Sequence, residues 1–203
     1  MSPIDRRKAL KLMGVTPLMG TLDWLPEELD RAALHVQTLP AMSYTPLFFT
    51  EHEWQTLQVL ADLIIPRDER SGSATDAKVP EFIDFIVSES SEGRQTSIRR
   101  GFAWLDDESR SRFGVTFVAA ADAQRRLILD DIAWPARAPE RLAAGVSFFN
   151  SVRDLVAAGF FSSKMGYDDL QYMGNQPLSA FPGCPEPALR KLGVSYDLMP
   201  DRH

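Results

Sequence analysis

The stretch TEHEWQTLQVLADLIIP, residues 50–66, sets the fold class of this chain. Thr50 and Glu53 have the spacing of a capping box, in which each side chain satisfies a backbone N–H at the start of a helix. Pro66 ends the pattern because proline cannot continue a helix. Apolar residues recur at helical spacing and define one inward face: Trp54, Leu57, Leu60, Ala61 and Ile64. The stretch therefore predicts an amphipathic helix packed on a helical core.

The helical period continues on both sides of this stretch, and strand signals are scarce. Further helices are predicted in residues 26–37, 80–89, 95–114, 116–135 and 139–163. In the second of these Phe82, Phe85 and Ile86 are expected to face inward, and in the longest one the inward residues are Val146, Phe149, Val152, Leu155 and Val156. The acidic run DDES, residues 106–109, is expected to break the helical pattern. The predicted class is all-α.

The helices divide the chain into three parts. Residues 1–47 are interpreted as an N-terminal segment and linker, and residues 48–161 as a single helical domain. Residues 162–203 are rich in aromatic residues, Gly and Pro and are predicted to be coil, with one turn at 187–193. We expect these long irregular N- and C-terminal segments to wrap a partner.

Composition excludes several classes of protein. The net charge of −6 and the lack of a basic stripe argue against a nucleic-acid binder. The single cysteine, Cys184, cannot form an internal disulfide, nor can it alone hold an iron–sulfur cluster or a structural zinc. The three histidines, His35, His52 and His203, form no ligand pair at helical spacing. No apolar run reaches the roughly 18 residues of a membrane span.

Catalytic and cofactor motifs are absent from the sequence, so no catalytic, cofactor-binding or metal residue is assigned. Adjacent carboxylates occur at 106–107, 130–131 and 168–169, but neighbours on a helix point about 100° apart and are interpreted as solvated faces or caps. His52 is expected at the surface or in a capping role. Cys184 is interpreted as a small, partly buried thiol, with a reactive thiol as the alternative.

The N-terminal residues DRRKALKLMG, 5–14, carry a concentrated positive charge. Arg6 and Arg7, followed by a weakly apolar stretch, are typical of a twin-arginine export signal. Lys11 interrupts the apolar region, and no clear cleavage site follows. A basic amphipathic helix accounts for the same residues, so the residues alone leave both interpretations open.

The segment FFSSKMGYDDLQYMGN, residues 160–175, places large apolar and aromatic side chains in a Gly-interrupted coil. Such side chains are buried either against the chain's own helices or against a partner, since Tyr, Met and Phe are enriched at interface cores. Both alternatives remain open. The candidate interface residues are Phe160, Phe161, Met165, Tyr167, Tyr172, Met173 and Asn175.

Several sequence blocks, taken in order, resemble the gluconate 2-dehydrogenase subunit 3 family. They are the E-W-x-T-L-x-x-L-A-D-x-I-I-P helix, the V-P-x-F-I-D block, the F-F-x-x-x-R helix, the G-Y-x-x-x-x-Y-x-G-N coil and FPGCPEP. The resemblance covers roughly residues 48–185. It implies a non-catalytic small subunit without a cofactor of its own.

The resemblance also implies the partners. The family accompanies a large flavoprotein of the glucose–methanol–choline type, which carries FAD and, in many members, an iron–sulfur cluster. Such complexes oxidise a sugar, a glucoside or a sugar acid and pass electrons towards a cytochrome c. The small subunit is expected to support maturation of the large one and to carry the twin-arginine signal for both, which implies a periplasmic location; the alternative is cytoplasmic.

Two other functions fit the same residues. A cytoplasmic assembly chaperone for the flavoprotein would bind the same partner and leave after maturation. An independent enzyme would need a site that no motif reveals, and the polar cluster to test for it is Tyr167, Asp168, Asp169 and Tyr172.

Overall fold

The computed structural model describes residues 24–39, 44–171 and 183–195. Within these ranges the chain forms helices and no strand, which confirms the all-α prediction. The helices are α1 (Pro26–Thr38), α2 (Glu51–Ile64), α3 (Val79–Ser88), α4 (Glu92–Phe113), α5 (Asp122–Ile132), a 3-10 turn (Glu140–Leu142), α6 (Ala143–Phe161), α7 (Lys164–Asp169) and α8 (Glu186–Leu192). The chain divides into two compact units, Met1–Gln171 and Tyr172–His203.

In the first unit α6 is the central helix, since it contacts α1, α2, α3, α4, α5 and α7. Its inward face is apolar, as its sequence period predicts, and Asp154 is the one charged residue that is buried on this helix. The buried side chains of this face are Phe148, Phe149, Val152, Leu155, Val156 and Phe160. The core of the unit is therefore built around α6.

Helix α2 begins as its sequence predicts. The Thr50 hydroxyl accepts the Glu53 backbone N–H at 3.3 Å, and the Glu53 carboxylate accepts the Thr50 N–H at 2.9 Å. Trp54, together with Leu57, Leu60 and Ala61, is buried. The helix ends at Ile64, before Pro66, so the capping box and the inward face are confirmed.

Helices α4 and α6 approach closely at two glycines. A Cβ atom on Gly101 would lie 1.9 Å from the ring of Phe148, and one on Gly145 would lie 2.1 Å from the ring of Trp104. Each helix therefore packs an aromatic ring against a glycine of the other helix. Any residue larger than glycine at either position would overlap that ring.

The expected break at 106–109 is wrong, because α4 runs continuously from Glu92 to Phe113. Asp106 is buried and accepts the Phe117 backbone N–H at 2.9 Å, so it ties the helix to the loop that follows. Glu108 pairs with Arg112 and with Arg141. Burial raises the pKa of Glu108, but the hydrogen bonds from these two guanidinium groups outweigh it and leave the pKa below its ordinary value.

Two other segments also differ from the prediction. Helix α5 begins only at Asp122, since residues 116–120 form turns rather than helix. Residues 164–169 were expected to be coil, but they form the short helix α7, whose first turn is capped by the Ser163 hydroxyl accepting the Gly166 N–H at 3.1 Å. In the second unit the expected turn is the helix α8, which ends at Gly193 with φ of 66°.

Candidate functional site

A groove with a volume of about 580 Å³ opens on the first unit, between α1, the loop before α3, the end of α6 and α7. We call it the α1–α7 groove. Most of the surface inside it is apolar. The apolar lining residues are Ala33, Val36, Ala77, Phe82, Gly159 and Met165. A volume of this size lies in the range of sites that bind ligands or partner side chains.

The loop between α2 and α3 is held in place by carboxylates. Asp62 accepts the backbone N–H and the hydroxyl of Thr75 at 2.8 and 2.7 Å. Asp68 accepts two backbone N–H groups, those of Ser71 and Arg70, and these hydrogen bonds lower the pKa of its carboxyl. The backbone N–H groups of Arg70, Ser71 and Thr75 are therefore already bound to the chain's own carboxylates.

Most charged side chains that line the groove are paired. Lys164 pairs with Asp168 at 2.5 Å, Asp76 with Arg67 at 2.6 Å, and Arg70 reaches across to Asp169 of α7 at 3.3 Å. The Arg70 contact ties the loop before α3 to α7. Asp168 and Asp169, which had been singled out as a polar cluster to test, thus have partners in these two ion pairs.

Lys78 is the exception among the charged side chains that line the groove. It lies directly before α3 in the left-handed backbone region, with φ of 58°, and its side chain is half-buried. Its ammonium group donates to the carbonyl oxygen of Leu39 at 3.4 Å. Among the residues that the structure describes, no carboxylate lies within 4.0 Å of it.

The predicted interface residues that the structure describes fall into three groups. Phe160 is buried in the core at 1% exposure, so its side chain packs internally and is not available to a partner. Met165 is partly buried and lines the groove. Phe161 and Tyr167 are exposed, at 40% and 47%. The remaining candidates lie outside the described residues, as do the predicted targeting residues: Tyr172, Met173, Asn175, Arg6 and Arg7.

Leu170, at 57% exposure, adds a third apolar side chain to Phe161 and Tyr167. These three come from the last turn of α6 and from the α7 region, which also forms one side of the groove. We call them the α7 patch. Sequence reasoning missed Leu170, although its spacing of three residues from Tyr167 places both on one helical face.

A buried carboxylate in α3 was also missed. Asp84 is fully buried and accepts four hydrogen bonds, from the Tyr44 hydroxyl at 2.7 Å and from the backbone N–H groups of Leu47, Phe48 and Phe49 at 2.6, 3.0 and 3.1 Å. Burial and then the hydrogen bond to Asp84 raise the pKa of Tyr44 well above its ordinary value. The signal in the sequence was an aspartate inside the apolar run FIDFIV, at a position that the helical period turns inward.

His52 and Asp106 form a second contact that the sequence did not reveal. The Nε2 atom of His52 lies 2.6 Å from Asp106 Oδ2, and Asp106 is buried although it was interpreted as part of a solvated face. The neighbouring hydroxyl of Thr56 donates to the His52 backbone carbonyl. The contact ties α2 to α4 and, through the Asp106–Phe117 bond, to the following loop.

Metal chemistry has no support in the part of the chain that the structure describes. No group of three His, Cys, Asp or Glu side chains in these ranges could hold a metal ion. Cys184 is exposed, in contrast to the partly buried thiol that was expected. None of the described helices is long and apolar enough to cross a membrane.

Comparison with known proteins gives one match. Residues 51–183 match the family model described as gluconate 2-dehydrogenase subunit 3. Searches among curated proteins and among solved structures found no significant match. The matched range contains α2 to α7, and thus the loop before α3, the α7 patch and most of the groove. Because this range is more than half of the chain, the protein belongs to the gluconate 2-dehydrogenase subunit 3 family and is a subunit of a multi-subunit dehydrogenase complex.

Proposed function

We propose that this chain is the non-catalytic small subunit of an FAD-dependent dehydrogenase of the glucose–methanol–choline type that oxidises a sugar, a glucoside or a sugar acid. Family membership over residues 51–183 is the observation that carries the proposal. In this role the chain supports maturation and stability of the large flavoprotein subunit. Electrons leave the complex towards a cytochrome c or another acceptor.

The loop beside the α1–α7 groove does not fit FAD, and we propose that this cofactor belongs to the large subunit. A dinucleotide is bound by backbone N–H groups that point at its pyrophosphate. In the loop beside the α1–α7 groove these donors already bind Asp62, Asp68 and Asp76, and three carboxylates there would repel a pyrophosphate. An iron–sulfur cluster has the same assignment, since the whole chain has one cysteine, Cys184.

The α7 patch supports a docking role. Phe161, Tyr167 and Leu170 are large apolar side chains between 40% and 57% exposed, and apolar and aromatic groups of this kind form the centres of protein interfaces. Burying them against another subunit removes this surface from water. The large subunit is thus proposed to contact the end of α6 and α7.

Export is the remaining part of the proposed role. Arg6 and Arg7 are proposed to form a twin-arginine signal that directs this chain and its folded partner to the periplasm. Replacing both with Lys keeps the positive charge and removes the arginine pair. We expect both subunits to remain in the cytoplasm in this variant, as measured by fractionation. Normal export of both would instead favour the basic amphipathic helix.

Co-expression with the large flavoprotein subunit tests the docking role. A tag on this chain should recover the large subunit with FAD bound, and Tyr167→Ser combined with Leu170→Ser should reduce that recovery by at least about 10-fold. Leu127→Ser is the matched control, because Leu127 is also 57% exposed but lies on α5.

Omitting this chain gives the decisive comparison. If the large subunit binds FAD, reaches the periplasm and is fully active without it, the proposed function is wrong. If the large subunit needs this chain to mature but the mature enzyme no longer contains it, the chain is an assembly chaperone instead. Redox activity of the isolated chain would identify an independent enzyme.

A further inference from the structure

We propose that the α1–α7 groove is a docking site for a segment of the partner subunit that places an apolar side chain against the groove walls and a carboxylate on Lys78. The identity of the occupant rests on the proposed function, because the partner is the large subunit of the complex. The chemistry of the occupant rests on the groove itself.

The groove walls predict the apolar half of the occupant. Val36, Phe82 and Met165 line it together with the small residues Ala33, Ala77 and Gly159. Small residues beside larger apolar ones form a concave surface in which an inserted side chain is shielded from water. Ser71 also lines the groove, and its hydroxyl can bond the polar backbone of an inserted segment.

The charges around the groove predict the carboxylate of the occupant. Arg70, Asp76, Lys164 and Asp168 are each paired with a group of opposite charge. Lys78 lacks such a carboxylate within the described ranges, although its side chain is half-buried. A half-buried ammonium group is stabilised by a charged acceptor, so the groove carries one positive charge that the occupant can neutralise.

Within the ranges that the structure describes, Lys78 has only weak alternatives. Its bond to the Leu39 carbonyl is long, at 3.4 Å, and that carbonyl carries no charge. Glu81 is near enough to be affected by the charge of Lys78, but it forms no ion pair with it. Residues 40–43 and 172–182, which follow Leu39 and α7 in the chain, contain no Asp or Glu.

A protein segment fits this groove better than a small carboxylate does. Helix α7 lines the groove with Lys164, Met165 and Asp168 and also carries Tyr167 of the α7 patch. A partner covering the patch therefore lies beside the groove as well. Continuity between an apolar surface and a concave site is typical of interfaces with a central anchor side chain.

The test measures binding of the purified large flavoprotein subunit to variants of this chain. Lys78→Asn removes the charge and suits the positive φ, since Asn tolerates the left-handed region better than most residues. We expect it to fold normally and to bind about 10- to 100-fold more weakly. Lys78→Arg keeps the charge and should retain most of the affinity.

Two further variants separate charge from shape. Lys191→Asn is the matched control, because Lys191 is exposed on α8 and does not line the groove. It should change affinity by less than about 3-fold. Ala33→Leu fills the groove without changing its charge and keeps a good helix former on α1, and it should weaken binding about 10-fold.

A zero-length carbodiimide crosslink in the wild-type complex gives an independent readout. We expect mass spectrometry to find Lys78 joined to an Asp or Glu of the large subunit. A wild-type complex that forms normally while Lys78→Asn and Ala33→Leu bind as tightly overturns this inference and leaves the proposed function standing. A crosslink from Lys78 to an acidic residue of its own chain also overturns it. Failure of the wild-type chain to bind the large subunit at all overturns the proposed function itself.

Discussion

Replacing Asp84 with Asn tests how strongly one buried carboxylate organises this fold. The carboxylate accepts two backbone N–H groups on Oδ1, from Phe48 and Phe49, and accepts the Tyr44 hydroxyl and the Leu47 N–H on Oδ2. An amide has only one oxygen, so its NH₂ group must face one of these two pairs of donors. The better orientation turns the NH₂ group towards the Tyr44 hydroxyl and the Leu47 N–H, because the hydroxyl can rotate and accept a hydrogen bond from the NH₂.

The size of the loss follows from this geometry. The Leu47 N–H then has no acceptor, which costs about 1–3 kcal/mol. The two bonds that remain change from charge-assisted to neutral and lose roughly half of their strength. Together these losses amount to about 3–5 kcal/mol, the range found when a buried charged network is broken. Since a domain of this kind is stabilised by about 5–15 kcal/mol, the variant should fold but unfold at much lower denaturant concentration.

Equilibrium unfolding in urea at pH 7, followed by circular dichroism, measures this change. Asp130→Asn is the matched control, because Asp130 is exposed and the same chemical change there should alter the free energy of unfolding by less than about 0.5 kcal/mol. Tyr44→Phe removes one of the four bonds and should cost about 1–2 kcal/mol. A loss below about 1 kcal/mol for Asp84→Asn would refute the reasoning.

Three other changes test separate parts of the fold. Burial raises the pKa of Glu81 above its ordinary 4.5. The stability linked to its proton is therefore present below pH 4.5 and is lost as pH rises through the folded-state pKa. Glu81→Gln should melt at a higher temperature than the wild type at neutral pH and at the same temperature near pH 4. Gly101→Ala should lower the free energy of unfolding by about 1–3 kcal/mol, because the added Cβ would overlap a buried ring. Gly93→Ala is the control: Gly93 has open space around it, so this substitution should raise the free energy of unfolding by up to about 1 kcal/mol. Trp54→Ala should cost about 3–5 kcal/mol in the same urea assay, and an equal loss for the exposed Trp134→Ala would contradict the assignment of the core.

Helices with a strong apolar period were predictable from the sequence, and α2 shows why. Its capping box and its inward face are both local patterns, since each residue involved lies within a few positions of the next. The structure then only confirms contacts that the helix geometry already requires. The same holds for α6, whose buried face follows the predicted period, and for α1, which begins at Pro26.

Buried carboxylates limited the prediction, because their partners are distant in sequence. Asp106 was expected in a break of α4, yet its acceptor oxygens serve His52 and the N–H of Phe117. Asp84 likewise binds donors that precede it by 35 residues or more. An isolated acidic residue is usually solvated. Only the hydrogen-bond donors that the tertiary structure brings to Asp84 and Asp106 show why these carboxylates are stable when buried. For the same reason the groove, which draws on residues from 33 to 168, has no local motif.

Lys78 directly precedes α3, and Asp84 lies six residues later within this helix. Substitutions at these two positions can therefore separate the effect on binding from the effect on stability. Asp84 faces the core and fixes the segment before α2, whereas Lys78 precedes α3 and lines the groove. Asp84→Asn should lower the free energy of unfolding while leaving affinity for the large subunit unchanged at 25 °C, because a domain that retains a few kcal/mol of stability is still almost fully folded. Lys78→Asn should instead weaken affinity for the large subunit and leave the free energy of unfolding nearly unchanged. If both variants lost affinity in proportion to stability, the groove would matter to the fold alone and docking at Lys78 would be ruled out.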